Sequence, residues 1–168
     1  MESLEVLQGP ELAAVTAIWV AQKRELVVAF GGTSMLPAIA PGQRVFLCCG
    51  VMPQIGDVAA FLIAGRIAVH RVVARADDGM WLVTWGDANL LPDELIDDPG
   101  RVVGTIRAVD GKGTMEQVPA APRSLRRRLI LRFALGMGKS PDGIGTRIAL
   151  LYRVRNRLVA VRARLNKK

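Results

Sequence analysis

A single histidine, His70, stands in a chain of 168 residues, and no lysine occurs between Ser34 and Lys112. Proton transfer near neutral pH within that span therefore has one ready basic side chain. Cysteine is almost as scarce: the two present, Cys48 and Cys49, are adjacent. Neighbours in a strand point to opposite faces and cannot pair, so a disulfide framework and a zinc site are both excluded. Buried small hydrophobes in a reducing compartment remain the reading for both thiols. Long apolar runs are missing too. The best stretch, Leu12 to Phe30, is broken by Gln22-Lys23-Arg24-Glu25 and falls short of the roughly 18 to 20 residues a membrane helix needs. Glu2, Glu5 and Glu11 stand where a secretory leader carries basic residues. Leu4 to Pro10 is similar to a viral 3C protease tag site lacking one residue. Residues 1–9 are therefore read as a tag remnant outside the fold, whose presence would allow for a removed upstream anchor. No cofactor-binding or metal-binding set is visible.

What is present divides the chain sharply. Residues 1–122 hold nine Lys and Arg against fourteen Asp and Glu, a net −5, whereas residues 123–168 hold fourteen against one, a net +13. With 51% hydrophobic and 23% charged residues, the composition is that of one globular domain with a basic appendage. Pro10 suits the first turn of a helix from Glu11 to Arg24, with Leu12, Val15, Ile18 and Trp19 on one face, so residues 10–25 form an N-terminal helix. Residues 26–118 are β-rich: short apolar runs at 26–30, 43–49, 58–63, 66–75, 80–85 and 101–109, separated by Gly, Pro and Asp, predict a mainly antiparallel coiled sheet or partial barrel. Ala64-Gly65 and Asp77-Asp78-Gly79 are the hairpin turns. Residues 119–168 read as a Pro-marked linker at Pro119 and Pro122, then two basic amphipathic helices at about 124–135 and about 145–166. A hinge around Ser140-Pro141-Asp142-Gly143 separates them. The second helix carries Ile148, Leu151, Tyr152 or Val154, Leu158, Val161 and Leu165 at helical spacing.

The rest of the chain is organised around Gly31-Gly32-Thr33-Ser34-Met35-Leu36-Pro37. It follows the strand-like run Leu26 to Phe30, and paired glycines with Pro37 place Ser34 in a sharp turn. His70 lies in the apolar strand Ile67-Ala68-Val69-His70-Arg71-Val72-Val73, and Gly86-Asp87-Ala88-Asn89 forms a turn with Asp93 six residues after Asp87. Each of these residues taken alone reads as structure: a turn serine, a core histidine, turn-capping aspartates.

Taken in order, Ser34-Met35-x-Pro37, Pro41-Gly42, Gly56-Asp57-x-x-x-Phe61, His70-Arg71-Val72-Val73 and Gly86-Asp87-x-Asn89 with Asp93 resemble the signal peptidase superfamily. The likeness is greatest to the endoplasmic-reticulum and archaeal type, whose general base is histidine, whereas bacterial enzymes and self-cleaving repressors use lysine. The resemblance covers roughly residues 27–109. It implies a serine endopeptidase with Ser34 as nucleophile, His70 as base, Asp93 as the acid that orients it and Asp87 as a supporting acid. The Ser34 backbone N–H, with Thr33 beside it, is the expected oxyanion hole, and Gly32 and Met35 are expected at the substrate. Asn89 is read as turn structure. The resemblance further implies cleavage after small residues in an extended precursor peptide paired with a strand edge, as in removal of a leader or signal segment. Two departures stand out. Gly32 replaces a residue that often lends a hydroxyl to the oxyanion hole, and the family's membrane anchor is not seen.

Three readings compete for the basic tail, with nucleic acid the least expected. Arg126-Arg127-Arg128 among Leu125, Leu129 and Phe133 suits an anionic membrane surface; the same helices could instead pack on the β domain or on a second copy of the chain. Nucleic acid finds no helix-turn-helix and no interleaved aromatics. The expectation is a cytoplasmic enzyme, with peripheral membrane attachment open. The alternative is a catalytically inactive member of the fold that binds a membrane or partner through the tail.

Overall fold

The computed structural model describes residues 9–93, 95–110, 113–121, 124–136 and 141–165, with side chains to residue 160. The tag-like stretch 1–8, Lys112, Pro122, residues 137–140 and the side chains of Val161 and Leu165 lie outside that set.

Helix α1 (Gly9–Ala21) starts at Gly9, inside the stretch assigned to a tag remnant, and ends before Arg24. The Gly9 N–H donates to the Gly65 carbonyl at 2.9 Å, which ties this end of the helix to the β domain. Lys23 at φ +49° closes the other end, with the Arg24 N–H on the Trp19 carbonyl and the Lys23 N–H on Val20, a left-handed helix stop. Leu12 and Thr16 are the buried positions, while Ile18, expected inward, is 54% exposed. Thr16 tolerates burial because its hydroxyl donates to the Leu12 carbonyl at 2.9 Å.

The described strands are β1 (Glu25–Ala29), β2 (Arg44–Cys49), β3 (Val58–Ile63), β4 (Arg66–Arg75), β5 (Leu82–Trp85), β6 (Leu95–Ile96), β7 (Val102–Asp110) and β8 (Met115–Gln117). They form one antiparallel sheet in the order β1-β2-β7-β3-β4-β5-β6, with β8 on β7. The two short strands β6 and β8 have too little pattern to be seen in sequence. Ala64 and Gly65, both at positive φ, make the tight β3–β4 turn that the right-handed strand twist favours. β7 lies between β2 and β3, and Gly104 permits the approach: a Cβ there would run into the Cys48 carbonyl. Cys48 is half-buried and Cys49 buried, on opposite faces.

The main core packs Phe30, Met35, Ile39, Val45, Leu47, Val58, Val69 and Ile106 together. Helices α2 (Leu125–Leu135) and α3 (Pro141–Leu165) close a separate cluster, in which Ala134, Ile144 and Ile148 pack on Ala74, Trp81 and Val83. Burying each of these isoleucines contributes roughly 1.5–3 kcal/mol, so the tail's inner face belongs to the β domain. The single apolar stripe expected on α3 splits in two: Ile148, Leu151 and Tyr152 face the body, while Val154 and Leu158 are exposed. Among the described residues no helix is long and apolar enough to cross a membrane.

Candidate active site

Ser34 is held from two directions. After β1 the Phe30 N–H pairs with the Gln43 carbonyl at 2.8 Å, and the chain then turns through exposed Gly31, Gly32 and Thr33. Met35 and Ile39, both fully buried, anchor the following turn, whose Ile39 N–H donates to the Met35 carbonyl at 3.0 Å. From the opposite side, the Ala88 N–H donates to the Ser34 carbonyl at 2.8 Å. Gly86 allows this approach, since a Cβ there would lie 2.8 Å from the Ser34 oxygen.

His70 enters from β4, opposite Ala59 of β3. Its Nε2 lies 2.9 Å from Ser34 Oγ and its Nδ1 lies 2.6 Å from Asp93 Oδ2. With the Nδ1 proton donated to the carboxylate, Nε2 is left to accept the serine proton. Asp93 is fixed in turn by β5: its N–H donates to the Thr84 carbonyl at 2.8 Å, and Thr84 Oγ1 donates to the same Oδ2 at 2.6 Å. The His70 and Asp93 side chains are each 14% exposed, shielded enough to order the pair yet open to the surface.

Asp87 does not join that chain. Its carboxylate takes Arg71 Nε at 3.1 Å and Nη2 at 2.7 Å, and the two side chains are 0% and 4% exposed. Two further Arg71 N–H groups donate to the Gly56 and Pro119 carbonyls, each at 2.8 Å, so every nitrogen of the buried guanidinium is bonded. Arg127 of α2 reaches the same turn, donating to the Gly86 and Asp87 carbonyls at 3.2 and 2.8 Å. Its guanidinium lies 4.2 Å from the Trp85 ring centre. Burial lowers the Arg127 pKa below its ordinary value and Asp87 opposes the shift. An arginine stays charged regardless. Asn89 serves the turn, with its N–H on the Gly86 carbonyl and its own carbonyl accepting from Trp85 Nε1.

A groove of about 660 Å³ opens beside Ser34 and His70. One wall is Val28 to Gly32, the other Arg66 to His70, and Leu12, Val45, Leu47, Ala60 and Ile106 form the apolar floor. Among the described residues β1 pairs only with β2. Residues 66–70 of β4 pair only with β3, since β5 takes over from Arg71. Each wall therefore presents an unpaired strand edge. Gly32 lines the groove; Met35, expected at the substrate, does not and lies in the core. Thr33 is exposed, and the Ser34 N–H has no acceptor among the described residues.

Sequence reasoning missed Thr84, the Arg71–Asp87 pair and Arg127. A charged residue inside an apolar strand was a signal for Arg71. Thr84 and Arg127 carried none, because Arg127 bonds a carbonyl 40 residues away. No family model matches the chain, and no curated protein matches it.

Proposed function

We propose that this protein is a serine endopeptidase of the signal peptidase type that removes a leader or signal segment from a precursor peptide or protein. The observation that carries the reading is the Ser34–His70–Asp93 relay, at 2.9 and 2.6 Å, at the mouth of a groove between two unpaired strand edges. A serine hydroxyl is a poor nucleophile until a base within hydrogen-bond reach takes its proton. Ser34 Oγ attacks the scissile carbonyl while its proton passes to His70 Nε2, and Asp93 stabilises the imidazolium. The Ser34 N–H, which has no acceptor among the described residues, would donate to the oxyanion. His70 returns the proton to the leaving amine, and water then releases the acyl group by the same route.

An extended peptide would add a strand to the β1 edge, the β4 edge or both, supplying backbone hydrogen bonds in place of sequence-specific contacts. The floor residues Val45 and Ala60, with Ala68 of the wall, suit short apolar side chains. That agrees with the resemblance, which implies cleavage after small residues.

Intact-mass labelling with a fluorophosphonate tests the reading. One adduct per chain is expected on the wild type and none on Ser34→Ala or His70→Ala. An unlabelled wild type with native circular dichroism would overturn it.

A further inference from the structure

We infer that the exposed apolar faces of α2 and α3 dock on an anionic lipid surface. On α2, Leu125, Leu129 and Phe133 are 71%, 57% and 45% exposed at every fourth position, a continuous apolar stripe. By helical geometry Arg128 and Arg132 fall on one side of the stripe and Arg126 on the other, and all three are exposed. No ion pair among the described residues involves them. α3 repeats the device: Leu150, Val154 and Leu158 are exposed at the same spacing, with Arg153 and Arg157 on one flank and Arg155 beyond the other.

The inner faces are already occupied, α2 through Arg127 and Ala134 and α3 through Ile144 and Ile148. Packing against the β domain thus leaves both stripes uncovered. An apolar strip bordered by arginines matches a helix lying in a headgroup layer, where leucine and phenylalanine enter the acyl boundary and arginines snorkel to the phosphates. Residues 123–168, at fourteen basic to one acidic, favour an anionic surface. A second copy stacking the same face would bring like charges together. This inference does not depend on the peptidase reading, and its test reads lipid binding alone.

The test is co-sedimentation of the full chain with vesicles of phosphatidylcholine, with and without phosphatidylglycerol, at low and raised salt. Binding is expected only to the phosphatidylglycerol vesicles and should weaken with salt. Replacing Arg126, Arg128 and Arg132 by Gln should reduce affinity about a hundredfold. Leu129→Asn with Phe133→Asn, which leaves the charge intact, should reduce it more than about tenfold. Circular dichroism checks that both variants keep the fold. Wild type remaining in the supernatant would overturn the inference. So would equal binding of the Asn variant, which would mean adsorption by charge alone, or salt-sensitive self-association in place of vesicle binding.

Discussion

On β4, His70 and Arg71 occupy successive positions, and each meets an aspartate from the same stretch, Asp93 for His70 and Asp87 for Arg71. The chemistry of the two pairs is alike; their access to solvent is not. Arg71 and Asp87 are sealed, with every Arg71 nitrogen bonded and a second arginine closing the turn from outside. His70 lines the groove with one ring nitrogen turned to a serine hydroxyl, and Asp93 behind it keeps 14% of its side chain exposed. A sealed, fully satisfied ion pair holds a loop, while a partly open histidine with one nitrogen free to exchange a proton suits chemistry. The family resemblance implied a role beside the histidine for both aspartates, and only their burial and partners separate them.

The comparison can be broken most severely at the open site. On the proposed peptidase reading, His70→Ala is expected to lower peptide cleavage about a million-fold with little change in melting temperature, since members of such a catalytic set act as a unit. Asp93→Asn should lower it about ten-thousand-fold by favouring the wrong histidine tautomer; single-turnover kinetics would register both. At the sealed site the balance reverses. Asp87→Ala leaves Arg71 buried without its counter-charge and should destabilise the fold by about 3–5 kcal/mol in urea denaturation. If Asp87→Ala instead kept full stability and lost labelling, the division between the two aspartates would fail.

Smaller effects sharpen the boundary. Arg127→Gln removes bonds to two carbonyls of the turn whose Ala88 N–H holds Ser34. About 1–3 kcal/mol of stability and a several-fold slower fluorophosphonate reaction are expected. Thr84→Val deletes one of the two donors on Asp93 Oδ2 and should cost about tenfold in cleavage rate at unchanged melting temperature. Least of all should follow from thiol alkylation. Burial raises both thiol pKa values, aided by Glu25 at Cys48 and by Cys48 at Cys49. The thiolate fraction at neutral pH is thus small, and N-ethylmaleimide should leave serine labelling unchanged. Inhibition by it would point to a different nucleophile.

Periodicity and punctuation by themselves determined most of the elements. Short apolar runs between Gly, Pro and Asp locate six of the strands, because burial in the sheet leaves a local apolar run whether one face is covered, as in β2, or every residue, as in β5. Composition likewise separates an acidic β domain from a basic helical tail. The order Ser34, His70, Asp93 was legible through short motifs, each tied to a turn or strand position. Tertiary structure alone decided the rest, because the deciding contacts join residues far apart in the chain. The preference of His70 for Asp93, the pairing of Arg71 with Asp87 and the reach of Arg127 back to the Gly86 turn leave no local periodic trace. Met35, expected at the substrate, has its side chain buried in the core, and Ile18, expected inward, is exposed. Helical spacing names a face but not its neighbour. The groove likewise exists only once the folded sheet brings residues of β1 and β4 to one cavity.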